Sequence, residues 1–180
     1  MTTTITRETD MTPRVWIGCL ACYNEGRLVG DWHDALGADE VTSADVHGRA
    51  SSHDELWCFD IENIPVRREM SLHEAAEWGR VFDEIDDHLR AALFAWVASC
   101  DYVSEGTGDL PVVSDFEERY CGHWDGFDDY ARQLADDIEL MRDVPEEIAT
   151  YFDWESWTRD LAFDYSVVDA DTGIHVFRSL

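Results

Sequence analysis

Carboxylate groups constrain what this chain can fold into more than any other feature of its sequence. Its 180 residues include 40 Asp and Glu but only 13 basic residues, every one an arginine, which leaves a formal net charge of -27. So many like charges in a compact body destabilise it through mutual repulsion. A folded chain of this kind therefore keeps its acids at the surface, where they serve solvation or a positively charged partner.

Intrinsic disorder is the first explanation to test, because disordered chains combine high net charge with few large apolar residues. Here 45% of the residues are hydrophobic, and 8 Trp, 8 Phe and 6 Tyr supply enough apolar area for a core. The composition therefore predicts a folded chain, built as one domain or as two to three small ones.

The amino-acid composition also indicates the cellular compartment and excludes some classes of binding partner. Residues 1–12 are predicted to be a flexible tail without a secretory signal, and no apolar run approaches the roughly 20 residues that span a bilayer. Five irregularly spaced cysteines suit free thiols in the cytoplasm. Nucleic acid and anionic membranes would repel the chain, so we expect neither direct nucleic-acid binding nor a membrane partner.

The N-terminal part has the pattern of a small α+β unit. Residues 14–22 and 31–34 are predicted to be strands, and a weakly helical stretch over 39–50 precedes a third strand at 56–61. We therefore predict an N-terminal α+β domain over residues 13–70.

A helical pattern begins at Ser71, where Ser71-Leu-His-Glu74 matches a capping box. Apolar residues then recur at steps of three and four, with a break near Asp86-Asp87 and an end by about Cys100. These residues predict a central helical domain over 71–111 that includes a loop from 101 to 111.

The remaining segment predicts a C-terminal α+β domain over residues 112–180. A helix from Ser114 is predicted to stop at Cys121-Gly122, followed by an amphipathic helix over 127–141. A further helix over 154–161 and a β-hairpin formed by 165–168 and 174–177 complete the domain. The predicted fold class is α+β, as an elongated chain of three small domains.

The negative charge is distributed unevenly along the chain. Residues 1–30 carry no net charge, 31–70 and 71–112 carry -7 each, and 113–180 carry -13. One end of the molecule is therefore preferentially acidic.

Two short motifs resemble metal sites but lack a ligand. His73-Glu-Ala-Ala-Glu77 has the H-E-x-x-H zinc spacing with glutamate in place of the second histidine, which favours a solvated helix start. In Asp169-x-Asp171-x-Gly173 the glycine of a calcium loop comes one place early, and Leu180 occupies the position of the bidentate glutamate.

A third motif, Cys19-x-x-Cys22, could supply half of a zinc site together with Cys121 and His123. However, it falls inside a predicted strand, where side-chain alternation sends the two thiols to opposite faces. We therefore predict buried free thiols and no metal.

No motif for nucleophilic catalysis, phosphate binding or dinucleotide binding is present in the sequence. With 40 acids, carboxylate pairs at catalytic separations arise by chance. We accordingly predict no catalytic residue and no cofactor, and an enzyme, including a metal-dependent one, is unsupported.

The acids match the charge of duplex DNA in amount. DNA carries about one negative charge per 1.7 Å of axis, so 27 charges correspond to roughly 46 Å, or about 13 to 14 base pairs. Carboxylates three or four positions apart on a helix can form rows that imitate phosphates. The candidate partner-binding residues are Asp83, Glu84, Asp86, Asp87, Asp115, Glu117, Glu118, Asp125, Asp128, Asp129, Asp136, Asp137, Glu139, Asp143, Glu146 and Glu147.

The same composition has a second explanation, because a high-salt cytoplasm also selects acid-rich, lysine-free surfaces. The chain would then be a halophilic binding or enzymatic domain whose acids only maintain solubility. Composition leaves both explanations open.

Ordered segments of the sequence resemble one protein family. Residues 13–26 (PRVWIGCLACYNEG) followed by 30–35 (GDWHDA) are similar to the opening signature of the ArdA antirestriction proteins. Residues 120–131 (YCGHWDGFDDYA) resemble the entry to their central helix. Similarity to their C-terminal part is carried by Pro145, Tyr151-Phe-Asp153, Ala162 and Gly173-Ile-His-Val-Phe-Arg178.

This resemblance implies a DNA mimic. Members of the family are expected to form an elongated, curved homodimer of three-domain chains, with the dimer interface in the C-terminal domain. The partner implied is a type I restriction-modification enzyme, in which the mimic occupies the DNA-binding groove of the methyltransferase core. The resemblance also implies that no catalytic residue or cofactor takes part.

Overall fold

A computed structural model describes residues 10–104 and 109–179, so residues 1–9 of the predicted tail lie outside the described part. The described residues form two compact units. The first runs to Phe94 and takes in Ser104, Asp109 and Leu110, and the second comprises Ala95–Val103 and residues 111–179. The fold is mixed α and β, as predicted, and the division into three domains stays a prediction.

The described residues contain eight α-helices and six strands. The helices are α1 Leu20–Asn24, α2 Ser43–His47, α3 Leu72–Glu84, α4 Arg90–Ala98, α5 Val113–Arg119, α6 Phe127–Asp137, α7 Glu146–Ala149 and α8 Trp154–Leu161. The strands are β1 Arg14–Cys19, β2 Gly30–Asp34, β3 Leu56–Glu62, β4 Tyr120–Trp124, β5 Tyr165–Asp169 and β6 Ile174–Arg178. None of these helices is long and apolar enough to cross a membrane.

An antiparallel sheet in the order β2-β1-β3 forms the centre of the first unit. Alternate residues of β1 face the core, where Val15 and Ile17 are fully buried. The strand ends at Cys19 and the chain turns directly into α1, so the predicted strand over 14–22 is three residues too long.

Helix α3 packs its apolar face into the first unit. Its predicted start is confirmed, because the Ser71 hydroxyl accepts a hydrogen bond from the backbone N–H of Glu74 at 3.1 Å. The Glu74 carboxylate does not complete the capping box and instead binds the Arg68 guanidinium. Trp78 and Phe82 lie fully buried along the same face of the helix.

The second unit contains an antiparallel sheet in the order β4-β6-β5. The predicted hairpin is present as β5 and β6, but the predicted helix stop at Cys121-Gly122 is wrong, because α5 ends at Arg119 and these residues lie in β4. Gly122 has a φ of 106° and sits where the β4 register shifts against β6. It therefore marks an irregularity in a strand rather than the end of a helix.

Aromatic side chains form the core of this second unit. Trp96, Phe116 and Phe177 are fully buried, and the Trp96 ring centroid lies 5.7 Å from that of Phe116 and 6.1 Å from that of Phe177. These separations are typical of favourable ring packing. The aromatic residues that argued against disorder thus supply the core.

Candidate functional site

The sixteen predicted carboxylates lie at the surface. Fifteen of them are exposed and Asp115 is half-buried. Asp83, Glu84, Asp86 and Asp87 belong to the first unit and the other twelve to the second.

Helix α6 separates an apolar face from an acidic one. Tyr130, Ala131 and Ala135 are buried on one side, and the repeat of 3.6 residues per turn turns Asp129 and Asp136 to the other. These two aspartates are seven positions apart, two helical turns, or about 10 Å along the axis. The helix thus presents a ridge of carboxylates to solvent.

The chain that follows α6 continues this acidic surface. Asp137 accepts a hydrogen bond from the Gln133 side chain at 2.8 Å, which holds its carboxylate against the helix. The six residues after the helix are turns that carry the exposed Glu139 and Asp143. Glu146 and Glu147 then occupy the first turn of α7, where the positive end of the helix dipole favours acids.

Acids also occupy helix ends where the helix dipole disfavours them. Asp83 and Glu84 form the end of α3, Asp136 and Asp137 form the end of α6, and neither helix has a basic residue in its last turn. Negative charge at a helix C-terminus opposes the partial negative charge of the unpaired carbonyl groups. The negative charge at these four positions therefore disfavours the fold electrostatically.

Arginine neutralises few of the predicted carboxylates. Within residues 10–104 and 109–179, only Asp87 and Glu139 of the sixteen form an ion pair, with Arg90 at 3.1 Å and with Arg142 respectively. The other ion pairs of arginine hold acids outside the set: Glu25, Asp34, Asp39, Glu62, Glu74, Asp109 and Asp160. Fourteen of the sixteen predicted carboxylates are thus left without an arginine partner among the described residues.

The structure overturns the prediction that Cys19 and Cys22 face opposite sides of a strand. Because β1 ends at Cys19 and α1 begins at Leu20, the two thiols lie on the same side of the chain, with their sulfur atoms within 4.8 Å of each other. The backbone N–H of Cys22 donates a hydrogen bond to Cys19 Sγ at 3.4 Å. His47 and His53 join them, with all four donor atoms within 4.8 Å of one another.

Cys121 and His123, considered as partners from the sequence, lie in the second unit. The Cys121 thiol donates to the Arg119 carbonyl at 3.3 Å, and the His123 ring contacts the Thr172 carbonyl. His47 and His53 were missed by the sequence analysis. The sequence signal for them is the spacing His47-x5-His53, which follows Cys19-x2-Cys22 in the chain and is typical of zinc ligands.

The two other motifs that resemble metal sites in the sequence, residues 73–77 and 169–173, belong to a helix start and to a strand turn. His73 and Glu77 lie one turn apart on α3 with 3.7 Å between His73 Nε2 and Glu77 Oε1, which agrees with a solvated first turn. Asp169 ends β5, and residues 170–173 form the β5–β6 turn, closed by a hydrogen bond from the Ala170 N–H to the Gly173 carbonyl at 3.1 Å. Cys58 is a buried strand thiol, and burial raises its pKa to about 12.

Comparison with known proteins relates the chain to one family. No curated protein matches the chain. The family described as antirestriction protein (ArdA) matches residues 15–176, a stretch that runs from β1 into β6 and includes all sixteen carboxylates. The similarity noted in the ordered sequence segments is thereby confirmed over nearly the whole chain, and the protein belongs to the ArdA family of antirestriction proteins.

Proposed function

We propose that this protein is a DNA mimic that inhibits type I restriction-modification enzymes by occupying the DNA-binding groove of their methyltransferase core. Antirestriction activity, and hence an interaction with restriction enzymes, follows from the family. The mode of binding and the type of enzyme are our proposal.

One observation carries this proposal: the exposed carboxylates of α6 and the following chain are almost free of arginine partners. A groove that binds DNA gains much of its affinity from Lys and Arg contacts to phosphates. Unpaired carboxylates on a fixed helix offer the same contacts without the need to break existing ion pairs. Asp136 and Asp137 lie at the end of α6, where the helix dipole disfavours negative charge, and this placement argues against a purely stabilising role.

The proposed active form is a homodimer of chains that each contain three small domains, with the dimer interface in the C-terminal domain. Doubling the charge of -27 gives a mimic that matches about twice the 13 to 14 base pairs of one chain. Support for an interface comes from two aromatic residues of the second unit, Tyr151 and Phe163, whose side chains are 86% and 80% exposed.

Competition with DNA tests the proposed mode of binding. The protein is titrated into a purified type I enzyme bound to fluorescently labelled duplex DNA, and fluorescence anisotropy reports the bound fraction. We expect stoichiometric displacement of the DNA at low salt. If several such enzymes bind the protein but keep their DNA, the DNA-mimic proposal is wrong.

A charge-matched pair of variants locates the contact surface. The first carries Asp128→Asn, Asp129→Asn, Asp136→Asn and Asp137→Asn, and we expect it to displace DNA more weakly, with losses that accumulate over the four positions. The control carries Asp31→Asn, Glu40→Gln, Asp60→Asn and Glu69→Gln on the exposed surface of the first unit.

This control removes the same number of charges and preserves local structure. The Asp31, Asp60 and Glu69 carboxylates accept hydrogen bonds from neighbouring groups, and the amide oxygens that replace them can accept the same bonds. Equal weakening by both variants would mean that total charge, and not the α6 surface, determines binding.

A further inference from the structure

A cluster of four metal-ligating side chains lies in the first unit, apart from the carboxylates already described. Cys19 and Cys22 are fully buried, and His47 and His53 are half-buried. His53 Nδ1 lies 3.5 Å from Cys19 Sγ and 3.4 Å from Cys22 Sγ. Two thiols and two imidazoles are the donor set of a structural zinc site.

The separations agree with the edges of a zinc tetrahedron. Bonds of about 2.3 Å to sulfur and about 2.0 to 2.1 Å to nitrogen place neighbouring sulfur and nitrogen ligands about 3.6 Å apart. The two observed sulfur to nitrogen distances, 3.5 and 3.4 Å, fall within about 0.2 Å of that value. A single ion can therefore lie at bonding distance from these three atoms.

Hydrogen bonding alone does not account for this arrangement. The Nδ1 atom of an imidazole has either one proton or one lone pair in the ring plane, so it can make one good hydrogen bond but not two. Here it faces two sulfurs at nearly equal distances. In addition, the Nε2 atom of His47 is buried without a hydrogen-bond partner. A metal ion would bind both sulfurs and a nitrogen of each ring at once.

The surrounding backbone holds the ligands in place. The Cys22 N–H donates to Cys19 Sγ at 3.4 Å, an interaction that would stabilise a thiolate. The histidine-bearing loop is fixed by two bonds: the Ser43 hydroxyl donates to the His53 carbonyl, and the His53 N–H donates to Ser51 Oγ at 3.1 Å. The spacing is Cys-x2-Cys followed by His-x5-His, within the range of known zinc sites.

We propose that Cys19, Cys22, His47 and His53 bind one structural Zn²⁺ that joins the β1–α1 junction, the end of α2 and the loop before β3. The ion connects the β1–α1 junction to two segments later in the chain and gives the irregular loop over residues 48–55 a fixed attachment to the sheet. This site is independent of the acidic surface, so each proposal can fail without the other.

Metal analysis of the full-length protein, purified under reducing conditions without a polyhistidine tag, tests the site. We expect about one zinc per chain after dialysis against a weak chelator, and zinc-edge X-ray absorption should show two sulfur and two nitrogen ligands. Co²⁺ added to metal-stripped protein should give the visible spectrum of a four-coordinate thiolate site. Wild-type protein that contains no zinc and gives no such cobalt spectrum would overturn the proposal.

Matched variants assign the ligands. Cys22→Ser and His53→Gln should lose zinc, whereas Cys121→Ser and His123→Gln, the pair in the second unit, should retain it. Zinc content unchanged in the first two variants would overturn the assignment, as would a Cys19–Cys22 disulfide in freshly purified protein. If a ligand variant fails to fold, the absorption spectrum of the wild type still decides the question.

Discussion

Gly79 of α3 lies so close to the backbone of Leu36 that no side chain fits between them. A Cβ atom built on Gly79 would collide with the Leu36 nitrogen and Cα. Gly79 is buried, and α3 packs there against the 3₁₀ turn Ala35–Glu40. The absence of a side chain at this position determines how closely helix and turn approach in the first unit.

Substitution of Gly79 by alanine should therefore destabilise the protein, although alanine is the better helix former. We expect a loss of about 1 to 3 kcal/mol in the free energy of unfolding, typical of an overpacked contact. Urea unfolding measures it. Gly37→Ala is the matched control, because a Cβ at Gly37 meets nothing within 4 Å. Equal stability of the two variants would contradict the close contact.

The proposed dimer interface makes a second prediction. Tyr151 and Phe163 expose 86% and 80% of their surface, and replacing both by serine removes apolar area that would be buried between copies. We expect the double variant to sediment as a monomer at concentrations where the wild type is a dimer. Leu28→Ser, at a 75% exposed position of the first unit, should leave the dimer intact. A wild-type monomer at micromolar concentration would contradict the proposed homodimer.

Local patterns in the sequence predicted much of the fold. The start of α3 depends on the Ser71 cap, and its extent depends on apolar residues at steps of three and four, so both are encoded within a few residues. Strand β4 was missed because its partner β6 lies about fifty residues later in the chain. Its five residues include a glycine, and the register shifts beside it, so no alternation marks the strand.

The two candidate sites also differ in whether a local sequence pattern or the tertiary fold brings their residues together. The exposure of Asp129 and Asp136 follows from helical periodicity, which places them opposite Tyr130 and Ala131. The cysteine and histidine cluster depends on where β1 ends and on how β2, α2 and the next loop return to it. If β1 continued to residue 22, side-chain alternation would place the two thiols on opposite faces of the strand. An error of three residues in the predicted strand end was therefore enough to hide the site.

A third prediction concerns pH. Burial, together with the nearby His123, holds the pKa of His175 below its usual value, and the Tyr120 hydroxyl lies 3.2 Å from its Nδ1. The unfolded chain takes up the proton at the ordinary pKa of about 6.5, so below that pH the unfolded state binds more protons than the folded state. This histidine therefore reduces stability as the pH falls.

The stability difference between wild type and His175→Gln isolates that effect from the many carboxylates. We expect the free energy of unfolding of the wild type, relative to the variant, to decrease between about pH 7.5 and about pH 5.5. Urea unfolding at both pH values measures it. A constant difference would show that the proton affinity of His175 is the same in both states.

Salt separates a DNA mimic from a halophilic protein, because the two explanations of the acidic surface predict opposite responses. A mimic that meets a basic groove should bind more weakly as ionic strength rises from about 0.05 to about 0.3 M, since counterions screen both surfaces. The Asp128, Asp129, Asp136 and Asp137 amide variant should show a smaller salt slope than the wild type, because fewer charges take part. Circular dichroism should show a cooperative melt of the protein alone at ordinary salt, whereas a halophilic domain would lose its fold below about 1 M. Unfolding of the isolated protein at low salt, together with salt-independent binding, would assign the carboxylates to solvation and not to the enzyme.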